Sequence, residues 1–74
     1  MGQQIKDDKL LLAIGKRLQE IRKEKKLSQE DVFNDTGIHI ARIETGRQNI
    51  SISTLGALCN YYSTTLRDFF ALIK

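Results

Sequence analysis

The sequence predicts an all-α domain of five short helices, and three observations carry that reading. Apolar residues recur at steps of three and four through most of the chain. Ser, Thr or Asp stands at the start of those stretches, where the unpaired N–H groups of a helix need an acceptor. No segment alternates with period two for long enough to argue a strand. The chain has 74 residues, 41% of them hydrophobic, and no proline, so residues 1–74 are read as one domain, because a second core would need a longer chain.

The first helix carries Leu11, Ile14, Leu18 and Ile21 as one stripe. It begins near Asp7 or Asp8, whose carboxylates suit a helix start, and ends around Lys25 and Lys26, whose cations suit a helix end. Leu27 anchors the turn, and Ser28 with Asp31 approximates a capping box for a short second helix that buries Val32 and Phe33. Thr36, Ile40 and Ile43 are spaced as a buried stripe, which puts a third helix at roughly residues 36–44, stopping at Gly46. Ser51 caps a fourth helix with the stripe Ile52, Leu55, Leu58, Cys59 and Tyr62. Thr65 caps a fifth with Leu66, Phe69, Phe70 and Ile73. Cys59 is read as a core residue, and Tyr61, Phe69 and Phe70 as core that spills over into an interface between copies.

Composition removes several classes of function. One Cys and one His (His39) make neither a disulfide framework nor a zinc site, and a reducing compartment is expected. The run Leu10 to Ile14 is too short and too flanked by charge for a signal sequence or a membrane span, so a cytoplasmic protein is expected. Met1-Gly2 is not a myristoylation signal, because Lys6 stands where Ser or Thr is required. Catalysis has little support: no Ser/His/Asp order stands out, no Gly-rich loop follows a strand, and the carboxylate pairs sit at helix starts, where capping explains them. No enzyme activity, metal, cofactor or membrane is expected.

The formal charge of +3 is unevenly spread. Residues 1–27 hold eight of the twelve Lys and Arg against four acids, whereas residues 28–46 hold only Arg42 against Glu30, Asp31, Asp35 and Glu44. A surface for a polyanion must therefore be assembled from the end of the first helix, Arg42 and the stretch at Arg47.

Several separated blocks then share an order: Ile14-Gly15-Lys16-Arg17-Leu18, Arg22 through Glu30, Arg42-Ile43-Glu44-Thr45-Gly46-Arg47, then Asn49, Ser51 and Thr54-Leu55. In these blocks the chain resembles the lambda-repressor/Cro-type (XRE-type) helix-turn-helix family over residues 14–70. The resemblance implies a compact five-helix DNA-binding domain whose helix-turn-helix lies at about residues 28–45, with the third helix entering the major groove, and a protein that usually binds as a dimer. Carried over, Gln29 contacts a phosphate, Arg42 lies on the exposed face of the recognition helix, Arg22 and Glu44 form an ion pair between the first and third helices, and Arg47 and Asn49 lie in the loop that follows the DNA backbone.

The chain departs from the family between Ser28-Gln29 and Arg42-Ile43-Glu44, where it is about three residues short, nearly one helical turn. If Gly37 is the turn glycine, the recognition helix loses its first turn, where most base contacts arise. If the second helix instead ends near Phe33, the third starts near Asp35, capped by Asn34 or Asp35, with Asp35, Ile38, His39 and Arg42 on its outer face. The second register is preferred, because Thr36, Ile40 and Ile43 then bury together.

On this reading Arg42 bonds guanine O6 and N7, worth about 1–3 kcal/mol of discrimination. Exposed Ile38 meets a thymine methyl, and His39 donates to a base or a phosphate. Gln29, Lys25, Lys26 and Arg47 bind phosphates. The expected function is a sequence-specific DNA-binding regulator of repressor or controller type, a homodimer on palindromic double-stranded DNA. The alternative is a protein-interaction or antitoxin-like module that keeps the fold and binds DNA weakly or not at all, favoured by the acidic run, the shortened segment and an exposed Ile38.

Overall fold

The computed structural model describes residues 5–73, which form five helices: α1 (Asp8–Glu24), α2 (Gln29–Thr36), α3 (Ile40–Glu44), α4 (Ile52–Tyr61) and α5 (Leu66–Ala71). Four of the five N-termini are closed by a short polar side chain. Asp7, Ser28, Ser51 and Thr65 each accept from a backbone N–H three residues on, at 2.9–3.1 Å. At Ser28 the box is reciprocal, since Asp31 Oδ2 accepts from the Ser28 N–H at 2.8 Å. The Ser28 backbone N–H, and after it the Ser28 side chain, hold the Asp31 carboxyl below its ordinary range.

Three helices end alike. Lys26, Gly46 and Ser63 take positive φ, and the next residue's N–H reaches back five residues, as from Leu27 to the Arg22 carbonyl and from Thr64 to that of Cys59. These bonds satisfy carbonyls that a helix end would leave orphaned.

The core is one cluster. The α1 stripe supplies Ile14, Leu18 and Ile21, α2 supplies Val32, α3 supplies Ile40 and Ile43, α4 supplies Leu55, Leu58 and Cys59, and Tyr62 and Phe69 close it. Burial pushes the Cys59 thiol up. Two stripe assignments are corrected. Ile52, at the first turn of α4, is 65% exposed, and Phe70 is 41% exposed. A helix of six or ten residues presents one narrow face inward, and these two lie off it.

The main correction concerns the helix-turn-helix. The second helix does not end near Phe33; it runs to Thr36, and α3 has only the five residues Ile40–Glu44. The cause is local. Gly37 takes φ 75°, a left-handed conformation open to glycine, and its N–H bonds the Phe33 carbonyl at 2.8 Å. Thr36 Oγ1 donates to the Val32 carbonyl at 2.7 Å and accepts from the Ile38 N–H at 3.0 Å. These bonds close the helix about one turn later than the preferred register required, and the chain reverses at Gly37. Thr36 and Asp35 belong to α2, and Ile38 lies in the turn, half-buried against the core and not exposed.

The α1–α3 contact is closer than side chains would allow. A Cβ added at Gly15 would lie 2.6 Å from the Glu44 carbonyl oxygen and closer still to that of Ile43. Backbone therefore meets backbone. Gly15→Ala is expected to separate the two helices and cost about 1–3 kcal/mol, read as a lower urea midpoint. A midpoint at or above that of the parent would show that α3 yields there without strain.

Candidate nucleic-acid interface

The residues that fix α3 form a buried polar cluster. Arg22 of α1 donates from Nε to Glu44 Oε2 at 2.7 Å and from Nη2 to Oε1 at 3.0 Å. Its Nη1 donates to the Leu27 carbonyl at 2.8 Å. The two side chains are only 9% and 2% exposed, and the Glu44 hydrogen bonds hold the Arg22 guanidinium above its ordinary pKa against the opposing effect of burial. Gln29 joins the cluster, its Nε2 donating to Glu44 Oε1 at 3.0 Å. Its side-chain amide is therefore turned to the ion pair, a partner that the sequence reading did not give it.

Beside this cluster lies a shallow groove bordered by His39, Ala41, Arg42, Gln48 and Thr54, with half-buried Ile38 along it. Arg42 is exposed, and its guanidinium is in no ion pair among the described residues. The Arg42 carbonyl accepts from Thr45 Oγ1 and from the Arg47 N–H, which ties the end of α3 to the following loop. His39 stands at the N-cap of α3 without a capping hydrogen bond. Its ring stacks on Phe33 of α2, centroids 4.4 Å apart and planes 28° from parallel.

Asp35 is absent from the groove. Its Oδ2 accepts from Tyr61 Oη at 2.6 Å, a bond between α2 and the end of α4 that pushes the Tyr61 phenol up to about 12. Its expected position on the outer face of the third helix is corrected by the longer α2. Burial takes the Tyr62 phenol to about 12 as well.

The other basic and polar candidates lie outside the groove. Lys25 and Lys26 are exposed in the α1–α2 turn, and Arg47 is exposed after α3. Asn49 is half-buried, its Nδ2 donating to the Ile5 carbonyl at 3.1 Å. Lys6 Nζ donates to the Arg47 carbonyl at 3.3 Å. The segment before α1 is thus strapped to the loop after α3, a link between distant positions that no local pattern announces.

Of the acids in residues 28–46, one is neutralised by a cation and two more are engaged by neutral donors. Glu44 is paired with Arg22, Asp31 closes the cap at Ser28, and Asp35 binds Tyr61. Phe33 was read as buried and is 41% exposed. The adjacent Val32 is fully buried and fills the inward face of α2, which leaves Phe33, about 100° further round the helix, at its edge. Among the described residues no helix is long and apolar enough to cross a membrane, and no group of three or more His, Cys, Asp or Glu side chains is arranged to hold a metal ion.

A five-helix domain with α2 and α3 joined by a glycine turn, and an exposed arginine on α3, has the geometry of a helix-turn-helix. The family model described as helix-turn-helix matches residues 18–69, more than half of the chain. The chain belongs to that family, the XRE or lambda-repressor type of DNA-binding regulatory domain. No curated protein matches it.

The buried pair gives a quantitative expectation. Glu44→Ala leaves a buried guanidinium without its anion and is expected to cost about 3–5 kcal/mol, comparable with the whole stability of a domain this small. Replacing both partners, Arg22→Met with Glu44→Leu, is expected to cost less, since no charge is left stranded. Urea denaturation of the single and double variants checks this; a double variant no more stable than the single would contradict it.

Proposed function

We propose that the chain is a sequence-specific transcriptional regulator, of repressor or controller type, that acts in the cytoplasm by occupying a promoter. Two copies bind a palindromic site, each inserting α3 and the turn before it into the major groove, with half-sites about 34 Å apart. The single observation that carries this reading is Arg42, exposed on α3 and outside the ion pairs that engage the neighbouring charges. A guanidinium so presented can bond guanine O6 and N7 together.

His39 supplements Arg42 in base readout, and Ile38 offers apolar contact from the turn. Asp35, engaged by Tyr61, is a structural acceptor in this reading. Lys25, Lys26, Arg47 and the loop carrying Asn49 meet phosphates. Gln29 meets one through its backbone N–H at the start of α2, since its side-chain amide is held by Glu44. The homodimer is supported by exposed Leu10, Ile52 and Phe70, which gather with Ile5 around one apolar groove that Arg42 does not line. No chemistry beyond binding is assigned, so the reading is not of an enzyme.

The alternative, a protein-interaction or antitoxin-like module, is favoured by one observation: α3 has only five residues, so few side chains can reach base edges. Selection of random duplexes at about 0.15 M salt separates the two, because non-specific phosphate contacts are screened there. An enriched palindrome is expected, and no enrichment by a folded sample favours the interaction module. Within an enriched site, Arg42→Ala is expected to relax preference at one base pair, weakening binding to the preferred site by about 1–3 kcal/mol. An unchanged preference would remove Arg42 from direct readout.

A further inference from the structure

The pairing of Phe33 with His39 is unexplained by folding needs. Phe33 leaves two-fifths of its surface exposed, while the buried face of α2 is already filled by Val32. His39 occupies the N-cap position, where a side chain ordinarily accepts from the helix N–H groups, yet it makes no such bond. Instead its ring lies on the Phe33 ring at 4.4 Å. That contact spans the α2–α3 turn, whose geometry follows from the shortened helix-turn-helix, and His39 borders the same groove as Arg42.

We propose that Phe33 is a positioning residue for DNA recognition: its ring holds the His39 imidazole beside Arg42, where the imidazole donates to DNA. The inference rests on the DNA-binding reading above. An imidazole on a surface turn has free rotation about two side-chain bonds, and a donor that must be ordered on binding contributes less than one already held. Stacking of two aromatic rings favours the held orientation by about two- to tenfold. It does so whether the imidazole is neutral or charged, since a cation over an aromatic face is also attracted.

The surroundings make the assignment testable by pH. His39 is the single histidine of the chain, and histidine is the side chain whose charge ordinarily changes between about pH 5 and 8. Arg42 is the charged side chain that borders the groove with it; Gln48 from the loop and Thr54 from α4 are neutral. On α2, Asp35 is engaged by Tyr61 and Asp31 by Ser28, while Glu30, one turn before Phe33, is an exposed carboxylate in no ion pair among the described residues. A proton taken up by the His39 imidazole would add one cation to the groove, on the ring that Phe33 holds.

The test measures affinity for the duplex enriched by selection, with the full chain, at pH 6 and pH 8 across a salt series. The parent protein is expected to bind more tightly at pH 6, with the logarithmic salt slope steeper by about one, as one more neutralised phosphate requires. His39→Gln is expected to abolish that difference. Phe33→Leu, which keeps an apolar side chain and leaves the core untouched, is expected to lose about two- to tenfold in affinity at pH 6 and less at pH 8. Phe33→Tyr, which keeps the ring, is expected to restore the parent profile.

A purely structural role for Phe33 would lower affinity equally at both pH values, and that result would overturn the proposal, as would a Phe33→Leu profile identical to the parent's. Circular dichroism of each variant separates loss of folding from loss of binding. Absence of specific binding by the parent protein itself would overturn the DNA reading together with this inference. Specific binding by the parent with no pH difference would overturn the inference alone.

Discussion

Glu44 is the point at which three helices of the domain are joined. It accepts two bonds from Arg22 of α1 and one from Gln29 of α2 while sitting on the last turn of α3. A five-residue helix has too few internal hydrogen bonds to persist alone, so α3 exists because its ends are held from outside. The ion pair supplies one hold and the buried Ile40 and Ile43 supply the other. The cost of desolvating two charges is offset by their bidentate geometry and by the Leu27 carbonyl, which occupies a further guanidinium donor. The orientation of everything on the outer side of α3 follows from that anchorage.

Gly15 serves the same end by a different means. With no side chain there, α1 lies directly against the carbonyls at the end of α3, and the Arg22 guanidinium reaches Glu44 from two turns further along the same helix. Polar and steric constraints thus fix one helix from one neighbour. The strap between Asn49 and the Ile5 carbonyl, with Lys6 on the Arg47 carbonyl, fixes the loop that leaves α3. Side chains carried by so short a segment need such support on both sides if they are to be held in one placement.

What could be read in the sequence was the part governed by local rules. The α1 stripe, the caps at Asp7, Ser28, Ser51 and Thr65, and the positive-φ end of α3 at Gly46 follow from periodicity and from the preference of short polar side chains for helix starts. The boundary between α2 and α3 was misread because Thr36, Ile40 and Ile43 fit a helical spacing even though a turn separates the first from the others. Spacing alone does not distinguish a continued helix from two helices that contribute to the same core. The choice was made by Gly37 and by the Thr36 hydroxyl, which satisfies two groups at once. Arg22 and Glu44 came from resemblance, because 22 positions separate them and no local pattern joins them. The bonds from Tyr61 to Asp35 and from Asn49 to Ile5 are equally remote in sequence and went unread.

The burial of Cys59 has a consequence for how the domain can be observed. Its thiol is 2% exposed and pushed away from the reactive thiolate by its apolar surroundings. As the single cysteine of the chain, it is shielded from reagents in the native state, and opening of the core around α4 would expose it. The molecule therefore carries an internal clock of its own opening. The rate at which a thiol reagent modifies it measures how often the core is breached, in free protein or in a complex, without any added probe.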